Sequence, residues 1–162
     1  MKADKMLYAG TFDPITNGHL DLIRRASRIC EELVVGVLNN PSKKTAYSIE
    51  ERLDMIRVAT EGLENVITDH FEGLLADYVL EKDINTVLRG LRAGIDFEYE
   101  IQMAQMNARL YKERTETIFM MTDPSHSFIS SSIVKEVFSY GGDISGLIPP
   151  QVYEYMKNIK GK

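Results

Sequence analysis

Four stretches of this chain set side chains that can grip a phosphate beside residues that turn the backbone. In "GTFDPITNGH" (10–19), Gly10 removes a side chain, Asp13-Pro14 starts a turn, and Gly18-His19 opens a stretch with helical spacing. The first amides of such a helix favour an anion, and glycine lets a ligand approach the backbone. An isolated Gly-His pair also fits an ordinary turn followed by a helix cap. In "NNPSKKTAYS" (39–48), Lys43 and Lys44 stand among Asn39, Asn40, Pro41 and Ser42, a pattern that a solvated basic turn would share.

The third stretch, "RGLRAGIDFEYE" (89–100), spaces Arg89 and Arg92 around Gly90. The planar guanidinium suits bidentate contact with phosphate, while pairing with Asp96 or Glu98 is the plainer alternative. The fourth, "DPSHSFISSSIVKEV" (123–137), puts Ser130, Ser131 and Ser132 ahead of an apolar-periodic run. One of these serines can be an N-cap, and three hydroxyls beside helix amides can also hold a polyphosphate. Other phosphate and metal signatures are missing: the chain has no G-x-x-x-x-G-K-[ST] loop and no G-x-G-x-x-G after its first apolar run. Its three histidines, His19, His70 and His126, are far apart and there is no cysteine pair, which argues against a zinc site. His70 reads as a polar strand end.

The elements that must position these stretches are legible as alternating periods. Five short apolar runs rich in β-branched residues, 6–10, 33–39, 65–71, 85–90 and 117–122, predict buried strands. Between them lie helical spacings: Leu20, Ile23, Ala26, Ile29 and Leu33; Leu53, Ile56, Val58 and Ala59; Leu74, Leu75, Tyr78 and Val79; a fourth over 97–111; and a fifth from Ser131. Ser48-Ile49-Glu50-Glu51 fits a capping box, with Gly62 placed to follow that helix, and a last helix over 149–160 starts at Pro149-Pro150. Alternation of this kind predicts an open parallel α/β sheet, in which ligands bind beyond the carboxyl ends of the strands. All four stretches follow predicted strands.

With 162 residues, the chain has the length of one domain. Hydrophobic residues make up 44% and charged residues 27%, which is a globular composition. The formal charge of −5 argues against a general nucleic-acid binder, so any phosphate site must concentrate positive charge locally. No apolar run is long enough to span a bilayer and the start lacks a secretory apolar region, so the expectation is a cytoplasmic protein without membrane association. Cys30 falls with Ala26 and Ile29 on the first helical stretch, where the expected role is a buried structural thiol.

Taken together, "YAGTFDPITNGHLDLI" (8–23), "NPSKK" (40–44), "RGLRAGIDFEYEIQMAQMN" (89–107) and "SFISSSIVKEV" (127–137) resemble the phosphopantetheine adenylyltransferases. The resemblance runs from about residue 6 to 160, and Thr16-Asn17-Gly18-His19 is the T-x-G-H form of the nucleotidyltransferase H-x-G-H motif. It implies a Rossmann-like open parallel five-stranded sheet with helices on both faces. It also implies transfer of the adenylyl group of ATP to 4'-phosphopantetheine, giving dephospho-coenzyme A and pyrophosphate, with Mg2+ and a homohexamer.

Carried over by position, Thr11 and Phe12 match ATP contacts, and Thr11 also matches a contact to the acceptor phosphate. His19 matches the transition-state stabiliser and a nucleotide contact, with Lys43 and Arg92 supporting catalysis. Lys43, Arg89 and the Leu75 backbone match phosphopantetheine contacts. Gly90, Leu91 and Arg92 match a second ATP segment, Glu100 a further nucleotide contact, and His126, Ser127, Phe128, Ile129, Ser130, Ser131 and Ser132 the last. Two positions depart from the family's pattern: Ala9 stands where proline is common, and His126 where Trp or Tyr is common, which makes His126 the weakest match. A transferase for nicotinamide mononucleotide, or a non-catalytic nucleotide or coenzyme A sensor, would use a similar pocket. Retention of His19 with Lys43 argues for turnover, because a sensor needs affinity alone.

Overall fold

The structure, a computed structural model, describes residues 3–92 and 94–160. The strands are β1 (Ala3–Gly10), β2 (Cys30–Asn39), β3 (Val66–Glu72), β4 (Thr86–Leu91) and β5 (Glu116–Met121). Helices α1 (Asn17–Ala26), α2 (Ile49–Ala59), α3 (Leu75–Glu81) and α4 (Gly94–Leu110) connect them in turn. A 3-10 turn (Pro124–His126), α5 (Ser131–Ser139) and α6 (Pro150–Lys160) follow. The five strands form one parallel sheet in the order β3-β2-β1-β4-β5. Because β1 pairs with β2 on one side and β4 on the other, the strand order reverses beside β1, and a crevice opens there at the strand ends.

Strand periodicity sorts the core into two layers. Met6, Tyr8, Leu33, Val35, Val37 and Leu88 face α1, α2, α5 and α6. Their alternate neighbours Leu7, Ala9, Val34 and Val87 face α3 and Tyr111 in the turn after α4. Helices therefore cover both faces, as expected for buried parallel strands. The capping box of α2 is formed: the Glu51 N–H donates to Ser48 Oγ at 3.2 Å and the Ser48 N–H to Glu51 Oε2 at 2.8 Å. Gly62 takes a positive φ of 85° in the turn beyond that helix, which glycine adopts without a Cβ penalty. Among the described residues, no helix is long and apolar enough to cross a membrane.

One expectation is corrected. Cys30 is the first residue of β2 and not part of a helix, because α1 ends at Ala26 and Ser27 caps it. Ile29, which extended the helical spacing, is 43% exposed and belongs to the turn. The strand starts early because Ala3 pairs with Cys30 and Lys5 with Glu32. These are backbone pairings that the polar residues Glu31 and Glu32 hide from an apolar-run criterion. Burial of the thiol holds, and its Sγ donates to the Ala26 carbonyl at 3.3 Å.

The packing of α1 on β4 depends on Gly90. A Cβ added there would lie 2.5 Å from Leu22 Cδ1, inside a packed layer where Leu22 is buried. Gly90→Ala should therefore lower stability by about 1–3 kcal/mol, the usual cost of overpacking. Urea denaturation checks this; an unchanged midpoint would mean that Leu22 moves aside freely.

Candidate active site

A cleft of about 790 Å³ opens at the carboxyl ends of the strands, around β1 and β4. Thr11 and Phe12 line it from the turn after β1, His19 from the start of α1, and Lys43 from the loop after β2. Leu75 lines it from the start of α3, and Arg89, Gly90, Arg92 and Glu100 from β4 and α4. The α5 side is formed by His126, Ile129 and the three serines 130–132. Leu91, Ser127 and Phe128 are not among its lining residues: Leu91 is core, and Phe128 is 64% exposed.

The start of α1 determines the state of His19. Thr16 is the N-cap and His19 the third helical residue, so two bonds close reciprocally. The His19 N–H donates to Thr16 Oγ1 at 3.4 Å, and the Thr16 N–H donates to His19 Nδ1 at 3.0 Å. A ring nitrogen that accepts a backbone N–H carries no proton, so the neutral ring holds its hydrogen on Nε2. The Phe12 ring meets the imidazole edge-on at 5.0 Å and Tyr8 lies at 6.4 Å. Burial pushes the His19 pKa down to about 4, and the Arg92 charge adds to that shift. The His19 side chain therefore closes the helix cap and also lines the cleft. Phe12 supports this arrangement from a φ of 48°, a conformation sparsely populated for a non-glycine residue. Phe12 as a whole is only 2% exposed.

The cationic side chains are already oriented. Arg89 lies within β4 and donates from Nε and Nη2 to the two Glu100 oxygens at 2.7 and 2.8 Å, and from Nη1 to the Ala9 carbonyl at 3.3 Å. These bonds to Glu100 raise the Arg89 pKa. Arg92 pairs with Asp96 at 3.1 Å, one of the two partners expected for it. Glu98 is exposed. Lys43 is exposed at the end of a short turn in which Asn40 Oδ1 accepts from the Ser42 N–H and the Asn40 carbonyl from the Lys43 N–H, both at 3.0 Å. On α5, Ser130 is the N-cap, accepting from the Ile133 N–H at 3.2 Å, and Ser131 Oγ donates to the Pro14 carbonyl at 2.8 Å. His126 borders the cleft with a buried Nδ1 that finds no hydrogen-bond partner among the described residues.

Three residues of this site escaped the sequence. Lys135 lines the cleft and binds Asp13 at 2.6 Å. It lies four residues after Ser131, which places both on one helix face, and that spacing was the available signal. Asp13 looked like a turn former and is a buried anion. Arg52 is 1% exposed and donates from Nη1 to the Thr11 carbonyl at 3.0 Å, and nothing in the α2 pattern distinguishes it from a surface arginine. His70 lies in β3 and is exposed.

A parallel sheet whose switch-point crevice gathers a T-x-G-H helix start, paired arginines and a serine-flanked helix start defines a nucleotidyltransferase. The family model described as "Cytidylyltransferase-like" matches residues 7–137, which contain every segment of this cleft. The chain is 50% identical over 156 residues to the phosphopantetheine adenylyltransferase of Clostridium novyi (strain NT), covering 96% of each chain. It is 49% identical over 150 residues to the phosphopantetheine adenylyltransferase of Dictyoglomus turgidum (strain DSM 6724 / Z-1310), covering 93% of each. The chain belongs to the phosphopantetheine adenylyltransferase family, within the cytidylyltransferase-like proteins.

The lowered pKa of His19 has a signed consequence. The unfolded chain binds a proton at His19 below its ordinary value of 6.5, whereas the folded chain does so only near 4. Its contribution to stability is therefore complete above the unfolded value and is lost as the pH falls from there towards the folded value. Nitrogen-resolved NMR should show His19 as the neutral Nε2–H tautomer from pH 8 to about pH 5, given its pKa of about 4. An imidazolium forming near the ordinary histidine value would contradict the cap geometry.

Proposed function

We infer that this chain transfers the adenylyl group of ATP to 4'-phosphopantetheine, producing dephospho-coenzyme A and pyrophosphate. The observation that carries this reading is the convergence of four phosphate-gripping segments on one cleft beside a neutral imidazole donor. The 50% identity to a phosphopantetheine adenylyltransferase favours this acceptor over nicotinamide mononucleotide.

The acceptor phosphate has a second pKa of about 6 and is mostly a dianion at neutral pH, so no base is required. One of its oxygens attacks the α-phosphorus of ATP in line. A phosphorus–oxygen bond forms as the bond to the bridging oxygen breaks, and pyrophosphate leaves with that electron pair. Catalysis is then alignment and charge stabilisation. His19 Nε2–H donates to the charge developing on the α-phosphoryl oxygens. Thr11, Lys43 and Arg89 hold the acceptor phosphate, with the Leu75 backbone alongside the pantetheine arm. Arg92 and Ser130, Ser131 and Ser132 at the start of α5 hold the triphosphate, together with the Gly90 backbone. Glu100 acts through Arg89, whose plane it fixes before any ligand arrives.

Magnesium enters this reading with the nucleotide. Among the described residues, no three acidic, histidine or cysteine side chains gather into a metal site. The carboxylates of the cleft, Asp13, Asp96 and Glu100, each face a cation. A resident magnesium site made by the protein alone does not fit this donor set, whereas Mg2+ held chiefly by substrate phosphates and water does. A homohexamer is also part of the proposal, supported by the apolar side chains of Met106, Leu110, Phe119 and Met121 exposed on α4 and β5.

Pyrophosphate release from MgATP should require phosphopantetheine and should not occur with nicotinamide mononucleotide; no release with either acceptor would make the protein a binding module. His19→Ala should reduce kcat by roughly 10² to 10³, the usual effect of losing one transition-state donor. ATP affinity measured by calorimetry should change little. A collapse of affinity with normal turnover would remove the assigned role.

A further inference from the structure

A single buried carboxylate ties together three of the segments that form the cleft. The Asp13 side chain is 4% exposed. Its Oδ1 accepts the Tyr47 N–H at 3.0 Å, and its Oδ2 accepts the Ala46 N–H at 2.9 Å and Lys135 Nζ at 2.6 Å. Asp13 belongs to the turn that carries Thr11, residues 46 and 47 follow Lys43 in the loop after β2, and Lys135 lies on α5 after the serines. Arg52 closes the arrangement from below, donating from Nη1 to the Thr11 carbonyl at 3.0 Å and from Nε to the Ser48 carbonyl at 3.3 Å.

These bonds join the loop after β2 to the turn after β1 and to α5. The loop after β2 carries an exposed lysine and an exposed Ala46, and two of its backbone donors end on one carboxylate. A carboxylate is the side chain suited to this place, because it accepts from two backbone amides and an ammonium at once and has no hydrogen to turn against them. Asparagine would present an NH2 where one acceptor stands, facing the Ala46 amide and Lys135.

We propose that Asp13 is a positioning residue for adenylyl transfer, fixing the Lys43 loop and α5 against the Thr11 turn so that acceptor and nucleotide phosphates meet in line. The proposal rests on the function inferred above. Its effect falls on alignment and not on nucleotide affinity: displacement by about 1 Å at a reacting centre costs about 10²-fold in rate.

The test is Asp13→Asn in the full chain, with a cooperative thermal melt to show that it folds. Steady-state kinetics and residue-resolved amide exchange at 46 and 47 are then compared with wild type. The proposal expects faster exchange at both amides, kcat down by about 10²-fold, and KM for ATP near the wild-type value. Faster exchange with unchanged kcat would overturn it, as would a fall in kcat with wild-type protection at both amides. If Asp13→Asn does not fold, Ala46→Pro removes one donor from an exposed position and should produce the same split between kcat and KM in smaller measure; unchanged kcat there would overturn the proposal. A wild-type protein that releases no pyrophosphate would remove the functional reading alone, since exchange at 46 and 47 still reports whether Asp13 holds the loop.

Discussion

The reciprocal cap between Thr16 and His19 satisfies two backbone groups at the start of α1 and fixes a proton on His19 Nε2. A local bond can do this only if the helix start itself is held. The Asn17 N–H donates to the Leu147 carbonyl at 2.9 Å and its side-chain amide to the Gly146 carbonyl at 2.8 Å, so the segment before α6 clamps the first turn. Beneath it, Leu22 sits over the bare backbone of Gly90. Phe12 and Tyr8 complete the wall behind the imidazole. The sheet, the last helix and the turn after β1 thus converge on the orientation of one ring. Burial keeps that ring neutral, which makes it a donor whose charge does not change near neutral pH.

An anion site in a chain of formal charge −5 requires cations held close together without ligand. Each of three cleft cations is met by its own carboxylate: Arg89 by Glu100, Arg92 by Asp96 and Lys135 by Asp13. The pairs differ in how firmly they hold. Arg92 is 45% exposed and its single bond to Asp96 is of the surface kind, worth about 0–1 kcal/mol. A polyphosphate can draw it away at little cost. Arg89 is bound bidentately to a carboxylate only 13% exposed, with the Ala9 carbonyl as a third tie. That guanidinium stays in place and presents its remaining N–H groups in a fixed plane. The Arg89 side therefore suits a phosphate that must be held still, and the Arg92 side one that arrives and leaves.

Much of this was legible in the sequence, for identifiable reasons. β1, β2 and β4 announced themselves because parallel strands buried on both faces are continuous apolar runs. β3 and β5, expected to be buried as well, are the sheet edges and bury only Phe71 between them. Ser48-Glu51 marked the start of α2 because capping boxes are local chemistry. The cleft was legible as a set of post-strand loops, since this architecture sends them all to one end of the sheet. Hidden features were of two kinds. The first residues of β2 are paired by backbone while Glu31 is exposed and Glu32 half-buried beside Lys5, so side-chain hydrophobicity says nothing there. The bond between Asp13 and Lys135 joins residues 122 apart, and no local pattern marks either as the other's partner.

Arg52 is held in place although burial works against its charge. Desolvation lowers its pKa and the Asp13 charge offsets only part of that. A buried ion is often replaceable by an apolar side chain without loss of stability, so stability alone does not account for an arginine here. The groups it touches are two backbone carbonyls, those of Thr11 and Ser48, at the ends of segments that belong to different strands. An apolar replacement would fill the space and keep the backbone N–H of residue 52 on the Ser48 carbonyl at 3.0 Å, but would leave the Thr11 carbonyl without that donor. Arg52 therefore gives up solvation to fix the direction of the Thr11 peptide, and with it the turn from which Asp13 and His19 are both set.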